Sequence, residues 1–218
     1  MQLPVFPLDV VAFPGMTVPL FIFEARYRRM VQLLLESESE PKRFLMVLAR
    51  PHEGVADGAP PIHRIGTAMD VLQLTENPDG TYEMLAHAQE RVAVQIVHRE
   101  DVPERDGSTR PLYFSEYREV PIGRDDPNEE LVAAWDALDS FRRYARAIYA
   151  FDAQEQIESH LPEDLLYQAS FVCANVRVPS ASRQVLLEAP SLSARFRLAQ
   201  KLMEERIAAH GPAIERDA

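Results

Sequence analysis

The chain has 218 residues, 46% of them hydrophobic and 8% aromatic, enough apolar surface for one large or two small globular domains. Its net charge of −11, from 23 basic and 34 acidic residues, disfavours any partner held by phosphate neutralisation, nucleic acid included. No apolar run free of charge and proline approaches the roughly 20 residues of a membrane span, the start Met1-Gln2-Leu3-Pro4 lacks a signal peptide's basic region, and the single cysteine, Cys173, can form no internal disulfide, so no membrane partner and a reducing, cytoplasmic setting are expected.

Pro4, Pro7, Pro14 and Pro19 interrupt the first apolar stretch, which reads as kinked strands rather than a helix. After Phe23 the period changes. Tyr27, Met30, Val31, Leu34 and Leu35 recur at helical spacing, while Arg26, Arg28, Arg29, Gln32 and Glu36 fall off that face. Phe44–Ala49 is a short continuous apolar strand, and 51–61 is a Gly- and Pro-rich loop expected to be mobile. Ile65–Leu74 and Tyr82–Ala86 flank Asn77-Pro78-Asp79-Gly80, a hairpin signal. Val92–Val97 and Pro111–Tyr117 read as two further strands on either side of a charged loop, 100–110. Six or so short strands with one early helix point to a closed or nearly closed barrel.

Composition then turns helical. Asp126 as cap, Pro127 in the first turn and Glu129 three residues after the cap open a helix to about Ala150, with Leu131, Trp135, Leu138, Arg142, Ala145 and Ile148 at helical spacing. Pro162 opens a second helix whose inner face holds Leu165, Leu166, Ala169, Val172, Cys173 and Val176. Ser180 caps a short third helix, and Ser191 caps a last one carrying Phe196, Ala199, Leu202, Met203 and Ile207 before Gly211-Pro212.

Three blocks resemble one family. FPLDVVAFPGMTVPLFIFEARY (6–27), HRIGTAMDVLQL with NPDGTYEMLAHAQERVAV (63–74 and 77–94), and the helical stretch from Leu161 to Ile207 are similar to the N-terminal substrate-binding region of Lon proteases. One departure is Ala88, where the family commonly has glycine three residues before the arginine matched by Arg91. The resemblance implies an α+β fold with an N-terminal PUA-like β pseudo-barrel over 1–121, a C-terminal α-helical bundle over 122–210 and a flexible tail over 211–218.

The chemistry of the whole protease is not legible. None of the eight glycines precedes a lysine, so no Walker A phosphate loop exists, and the two lysines, Lys42 and Lys201, read as solvated rather than as partners of a nucleophilic serine. Six histidines form no HExxH or CxxC-type ligand set; His87 and His98 read at most as cross-strand neighbours, and Cys173 reads as a buried, inert thiol. No cofactor, metal or catalytic residue is therefore assigned.

What remains is recognition. The resemblance implies binding of unfolded or damaged polypeptide, and the missing catalytic motifs lead to the expectation of a stand-alone, non-enzymatic module, an adaptor to a separate ATP-dependent protease or chaperone or a holding factor. Phe13, Phe21 and Phe23 at the strand-to-helix junction, with Arg26, Tyr27 and Arg29 of the following helix, are the peptide-binding candidates, against the plainer alternative that the aromatics fill the core and the arginines meet water. A crevice near Tyr113, Tyr117 and Trp135 is a second candidate. An RNA-binding module and a peptidase-related hydrolase are the rival readings.

Overall fold

Pro4 and Pro7 do not keep the first segment out of the sheet. A computed structural model describes residues 2–51, 61–104, 106–149 and 159–210. In it, β1 (Leu3–Leu8) pairs antiparallel with β6 (Thr109–Glu119) over Leu3–Val5 and parallel with β3 (Arg43–Ala49) over Val5–Leu8. The two pairings overlap only at Val5, so each proline lies where β1 has one neighbour, the setting in which a strand tolerates a residue with no N–H.

Four more elements complete this part of the chain: β2 (Thr17–Ile22), α1 (Ala25–Glu36), β4 (Ile62–Glu76) and β5 (Tyr82–Pro103). The sheet order is β2-β5-β4-β3-β1-β6, and β6 also pairs with β5. Five strands thus close into a ring, β5-β4-β3-β1-β6-β5, and among the described residues β2 has a single partner strand. The expected strands at Tyr82–Ala86 and Val92–Val97 are one continuous β5, whose first half pairs with β2 and whose second half pairs with β6.

Bulges bend this long strand. Between the pairs Thr67↔Arg91 and Met69↔Ala88, β5 carries an extra residue, so Ala88 borders a bulge that forms without glycine. Leu72 on β4 and Val97 on β5 are the extra residues at two other shifts, and both side chains are exposed because a bulge breaks the two-residue alternation. Beside the first bulge, Arg43 donates to both Asp70 oxygens at 2.6 and 3.2 Å and to Glu90 at 2.9 Å, tying β3, β4 and β5 together.

The block containing Gly66, Thr67 and Arg91 has a structural explanation. A Cβ on Gly66 would lie 2.3 Å from the Met46 carbonyl oxygen and 2.7 Å from Val47 Cγ1, so only glycine permits this approach of β4 to β3. Thr67 donates its buried hydroxyl to the Ala12 carbonyl at 2.7 Å, and Arg91 donates to the carbonyls of Val120 and Pro121 at 2.8 and 3.1 Å. α1 covers one face of the sheet: Tyr27, Met30, Val31 and Leu34 are buried with Phe6 and Phe44, each such side chain contributing about 1.5–3 kcal/mol. Leu35 does not join them and is exposed.

The chain divides into two compact units, Met1–Pro121 and Ile122–Ala218. In the second, the described residues form α2 (Pro127–Ile148), α3 (Leu165–Asn175), α4 (Ser180–Leu187) and α5 (Leu192–His210). Asp126 caps α2 as expected, accepting from the N–H groups of Asn128 and Glu129. Of the expected stripe Ala145 is buried, but Ala133, Ala134, Ala137, Ser140, Phe141 and Tyr144 supply the rest of the inward face, whereas Leu131, Val132 and Trp135 are exposed, Trp135 by 70%. Small residues let helices approach closely, so the buried face of α2 is spelled largely in alanine. α3 is capped by Asp164 instead of opening at Pro162, and Ser180 lies inside α4 and makes no side-chain cap. Ser191 does cap α5, accepting from Ala194 N–H at 3.3 Å. Arg195 is buried and donates to the Leu186 and Leu187 carbonyls at the C-terminal end of α4, where a cation also complements the helix dipole. The loop at 52–60, the end of the first long helix at Ala150 and the tail at 211–218 lie outside the described residues.

Two predictions follow from this packing. Gly66→Ala should lower the free energy of unfolding by about 2 kcal/mol or more, measured by denaturant titration. The second concerns acid. Arg124 donates twice to the buried Glu130, at 2.8 and 2.6 Å, and holds its carboxyl below the usual glutamate range; Asp125 is held low mainly by Ser191 and Ser193. The unfolded chain then takes up protons first as pH falls, so this stabilisation is present above about pH 4–5 and is lost as pH drops through the depressed values. Glu130→Gln should be less stable at neutral pH and lose less of its remaining stability on acidification, in unfolding curves recorded across that range.

Candidate functional site

Strand β2 passes the chain to α1 through Phe23 and Glu24, and the junction carries most of the candidate residues. Alternation along β2 buries Val18 and Ile22 and turns Phe21 outward; Phe23 follows just past the strand end. Phe21 is 57% and Phe23 62% exposed, and their rings stack with centroids 6.0 Å apart and planes 27° apart. Two exposed aromatic rings in contact differ from the scattered single apolar residues of an ordinary surface.

The other candidates are placed differently. Phe13 is fully buried and Tyr27 nearly so, its ring 4.2 Å from that of Phe6, so both belong to the core and offer no surface to a partner. Burial holds the Tyr27 hydroxyl well above the usual tyrosine range. Arg26 lies 4.4 Å over the Tyr27 ring and donates to Glu24 at 3.1 Å and to the Pro111 carbonyl at 3.4 Å. Arg29 donates to Glu100 at 3.2 Å. These two arginines therefore fasten α1 to β6 and β5. Tyr113 and Tyr117 pack partly buried against Leu3, Val5 and Val94 of the first unit, whereas Trp135 stands exposed on α2.

Arg28, between the two fastening arginines, borders open space. With Phe23, Asp79, Thr81, Glu104 and Asp106 it lines an open pocket of about 390 Å³, which Arg110 also flanks. Two sibling turns build the far wall. In the β4–β5 turn, Asp79 accepts from Thr81 N–H and hydroxyl at 3.0 and 2.7 Å; in the β5–β6 turn, Asp106 accepts from Ser108 N–H and hydroxyl at 2.9 and 2.6 Å. Gly80 and Gly107 follow these aspartates at φ 76° and 83°, a conformation that glycine takes at no steric cost. Ser108, through its hydroxyl first, holds Asp106 below the usual aspartate range, so it is an anion at neutral pH.

The second turn lies within the stretch 100–110 expected as one charged loop, because β5 runs on to Pro103 and β6 starts at Thr109. Asp106-Gly107-Ser108 repeats the Asp79-Gly80-Thr81 signal and was sufficient to find it. Arg28 and Glu104 were missed because nothing local distinguishes them from solvated charges. In the pocket, Arg28 Nε and Glu104 Oε1 are each buried without a hydrogen-bond partner, an arrangement that native proteins rarely keep.

Reactive groups are placed for structure. Cys173 is fully buried on α3, and burial pushes its thiol up to about 12. Lys201 is exposed, but Lys42 is held: its Nζ donates to the Ser37 carbonyl and pairs with Glu40 at 3.1 Å. His87 and His98 both lie on β5 and so are not cross-strand neighbours; His87 meets Thr17 and His98 packs on Phe114. Among the described residues, no group of three or more His, Cys, Asp or Glu side chains is placed to hold a metal ion, and no helix is long and apolar enough to cross a membrane.

Residues 2–205 match the family model described as the ATP-dependent protease La (LON) substrate-binding domain. The chain is 29% identical to the Lon protease of Xanthomonas oryzae pv. oryzae over 95% of its own length and 23% of that protein's. It is 23% identical to the Lon protease of Escherichia coli K12, over 94% of its own length and 25% of that protein's. It thus spans about a quarter of the curated relatives it matches. The N-terminal domain of a Mycobacterium avium complex Lon protease superposes with a TM-score of 0.65 at 17% identity, covering 94% of this chain and 99% of that one. The Lon N-terminal domain protein from Xanthomonas campestris gives 0.55 at 22% identity, covering 90% and 95%.

Burial of Cys173 makes a prediction. A thiol-specific disulfide reagent should leave the native protein unmodified while reacting rapidly with the denatured chain, read by absorbance of the released thiolate.

Proposed function

From the premise that this chain belongs to the LON substrate-binding domain family, we propose that it binds polypeptide without cleaving it, taking up apolar segments of unfolded or damaged proteins. The observation that carries the reading is the stacked, exposed Phe21–Phe23 pair on and just beyond the strand with a single partner. An edge strand presents unpaired N–H and C=O groups to an extended peptide, and adjacent aromatic rings take its apolar side chains. Pro19 interrupts that edge, so pairing is expected to be short and the aromatic pair to supply much of the affinity.

The finer fold reading accompanies it. The closed five-strand ring is read as a PUA-like pseudo-barrel over 1–121, and the four described helices of the second unit as a bundle over 122–210. A family match confined to the substrate-binding domain supports a role in recognition rather than chemistry, with bound polypeptide passed to an ATP-dependent protease or a chaperone in the cytoplasm. The charge of −11 weighs against the RNA-binding alternative.

The test is fluorescence anisotropy with a labelled, permanently unfolded reporter polypeptide. Phe21→Ser/Phe23→Ser should weaken binding about tenfold with unfolding free energy changed by less than about 0.5 kcal/mol, because both side chains are exposed. Equal affinity of the double variant overturns the placement, and retention of RNA in place of the reporter overturns the reading.

A further inference from the structure

We propose that the pocket beside Phe23 captures a main-chain peptide group of the bound segment, Arg28 donating to its C=O and Glu104 accepting from its N–H; this rests on the polypeptide binding proposed above. Around this pocket some charges have partners and others do not. Arg26 and Arg29 pair with Glu24 and Glu100, and Arg110 pairs with Glu24 at 3.3 Å. Asp79 and Asp106 accept the closing bonds of their own turns. Arg28 Nε and Glu104 Oε1 are left buried with their bonds unmade, one a donor and the other an acceptor, on side chains lining the same pocket.

A buried polar atom without a partner is costly, and a small side-chain rotation into the pocket lets an occupant supply what is missing. The occupant that meets both needs offers one acceptor and one donor close together, because Arg28 Nε is a donor and Glu104 Oε1 an acceptor. A free anion would meet the carboxylates of Asp79, Glu104 and Asp106 and give Glu104 Oε1 no donor, and a free cation would give Arg28 Nε no acceptor. A peptide unit satisfies the description at every residue, whatever its side chain.

The surroundings agree with this occupant. Glu104 is anchored by its own backbone, which donates to the Ser108 carbonyl at 2.8 Å and accepts from Gly107 N–H at 3.1 Å, so the turn fixes the main chain from which its side chain reaches the pocket. β2 ends at Ile22, the residue before Phe23, so a segment lying along the β2 edge and over the aromatic pair continues into the pocket. Hydrogen bonds to the main chain with an apolar wall beside them give recognition that reads extension and apolarity rather than a particular sequence.

The experiment is an N-methyl scan of a short, labelled, unstructured apolar peptide, with affinities measured by anisotropy against the wild-type chain and the variants Glu104→Ala, Glu104→Gln and Arg28→Met, each checked for wild-type thermal unfolding. Methylation at one amide position should weaken binding to the wild type roughly tenfold or more, as expected for losing a bond to a charged group. That penalty should vanish in Glu104→Ala. Glu104→Gln, which keeps an acceptor oxygen, should bind the unmethylated peptide within about threefold of wild type, and Arg28→Met should weaken it about tenfold. A flat scan, or wild-type affinity in Glu104→Ala and Arg28→Met while Phe21→Ser/Phe23→Ser loses binding, overturns the pocket and leaves polypeptide binding standing. A loss in Glu104→Gln as large as in Glu104→Ala shows that a cation is recognised and overturns the main-chain assignment. Absence of binding to any unmethylated peptide overturns both readings.

Discussion

Everything in the first unit depends on the hydrogen-bonded closure of the sheet. β6 pairs with β1 on one side and with the second half of β5 on the other, which turns five strands into a ring. Backbone N–H and C=O groups that would otherwise face water find partners, and β2 is left as the strand with one neighbour. Closure requires β5 to serve two surfaces at once, and its 22 residues manage this by bulging near Ala88 and at Val97. Close approach of β4 to β3 at Gly66 and the Arg43 cluster across three strands hold the bent sheet in register.

The candidate surface is a consequence of that closure. The bent β5 sends its two ends to turns of the same construction, and both turns meet the start of α1 around one pocket. Arg26 and Arg29 clamp the helix to the strands beneath, so Arg28 is left facing the opening. Phe21 and Phe23 stay outside because the inward positions of β2 are filled by Val18 and Ile22 and the core beneath is already packed. Recognition and architecture therefore share the same short segment, with alternate residues assigned to each.

How much of this is legible depends on how far apart the interacting residues are. The hairpin at Asp79-Gly80, the cap at Asp126 and the buried face of α1 are local, and each is readable because turn and cap chemistry and helical spacing act within a few residues. The second turn at Asp106-Gly107 carried the same signal but was masked by its charged neighbours. Reading α2 from its large apolar residues picked the wrong face: Leu131 and Trp135 look like core, but Ala133, Ala134 and Ala137 are buried, because close helix packing selects small volume over hydrophobicity. Within the candidate site, helical spacing already placed Tyr27 on the inner face of α1, whereas Phe13 was indistinguishable by type from Phe21 and Phe23, and only burial separates them.

By itself the sequence determined the class of the molecule: an acidic chain with a proline-kinked β start, an early amphipathic helix, a helical second half and motifs resembling a Lon substrate-binding region. These follow from composition, period and short motifs, which are properties of neighbouring residues. Only the tertiary structure decided that β5 is one strand, that β6 closes the ring, that Arg26 and Arg29 are paired while Arg28 Nε and Glu104 Oε1 are not, and which aromatic rings meet solvent. Each of those outcomes depends on contacts between residues distant in the chain, where the partner that satisfies a hydrogen bond or covers a ring is set by the fold and leaves no mark on the local pattern.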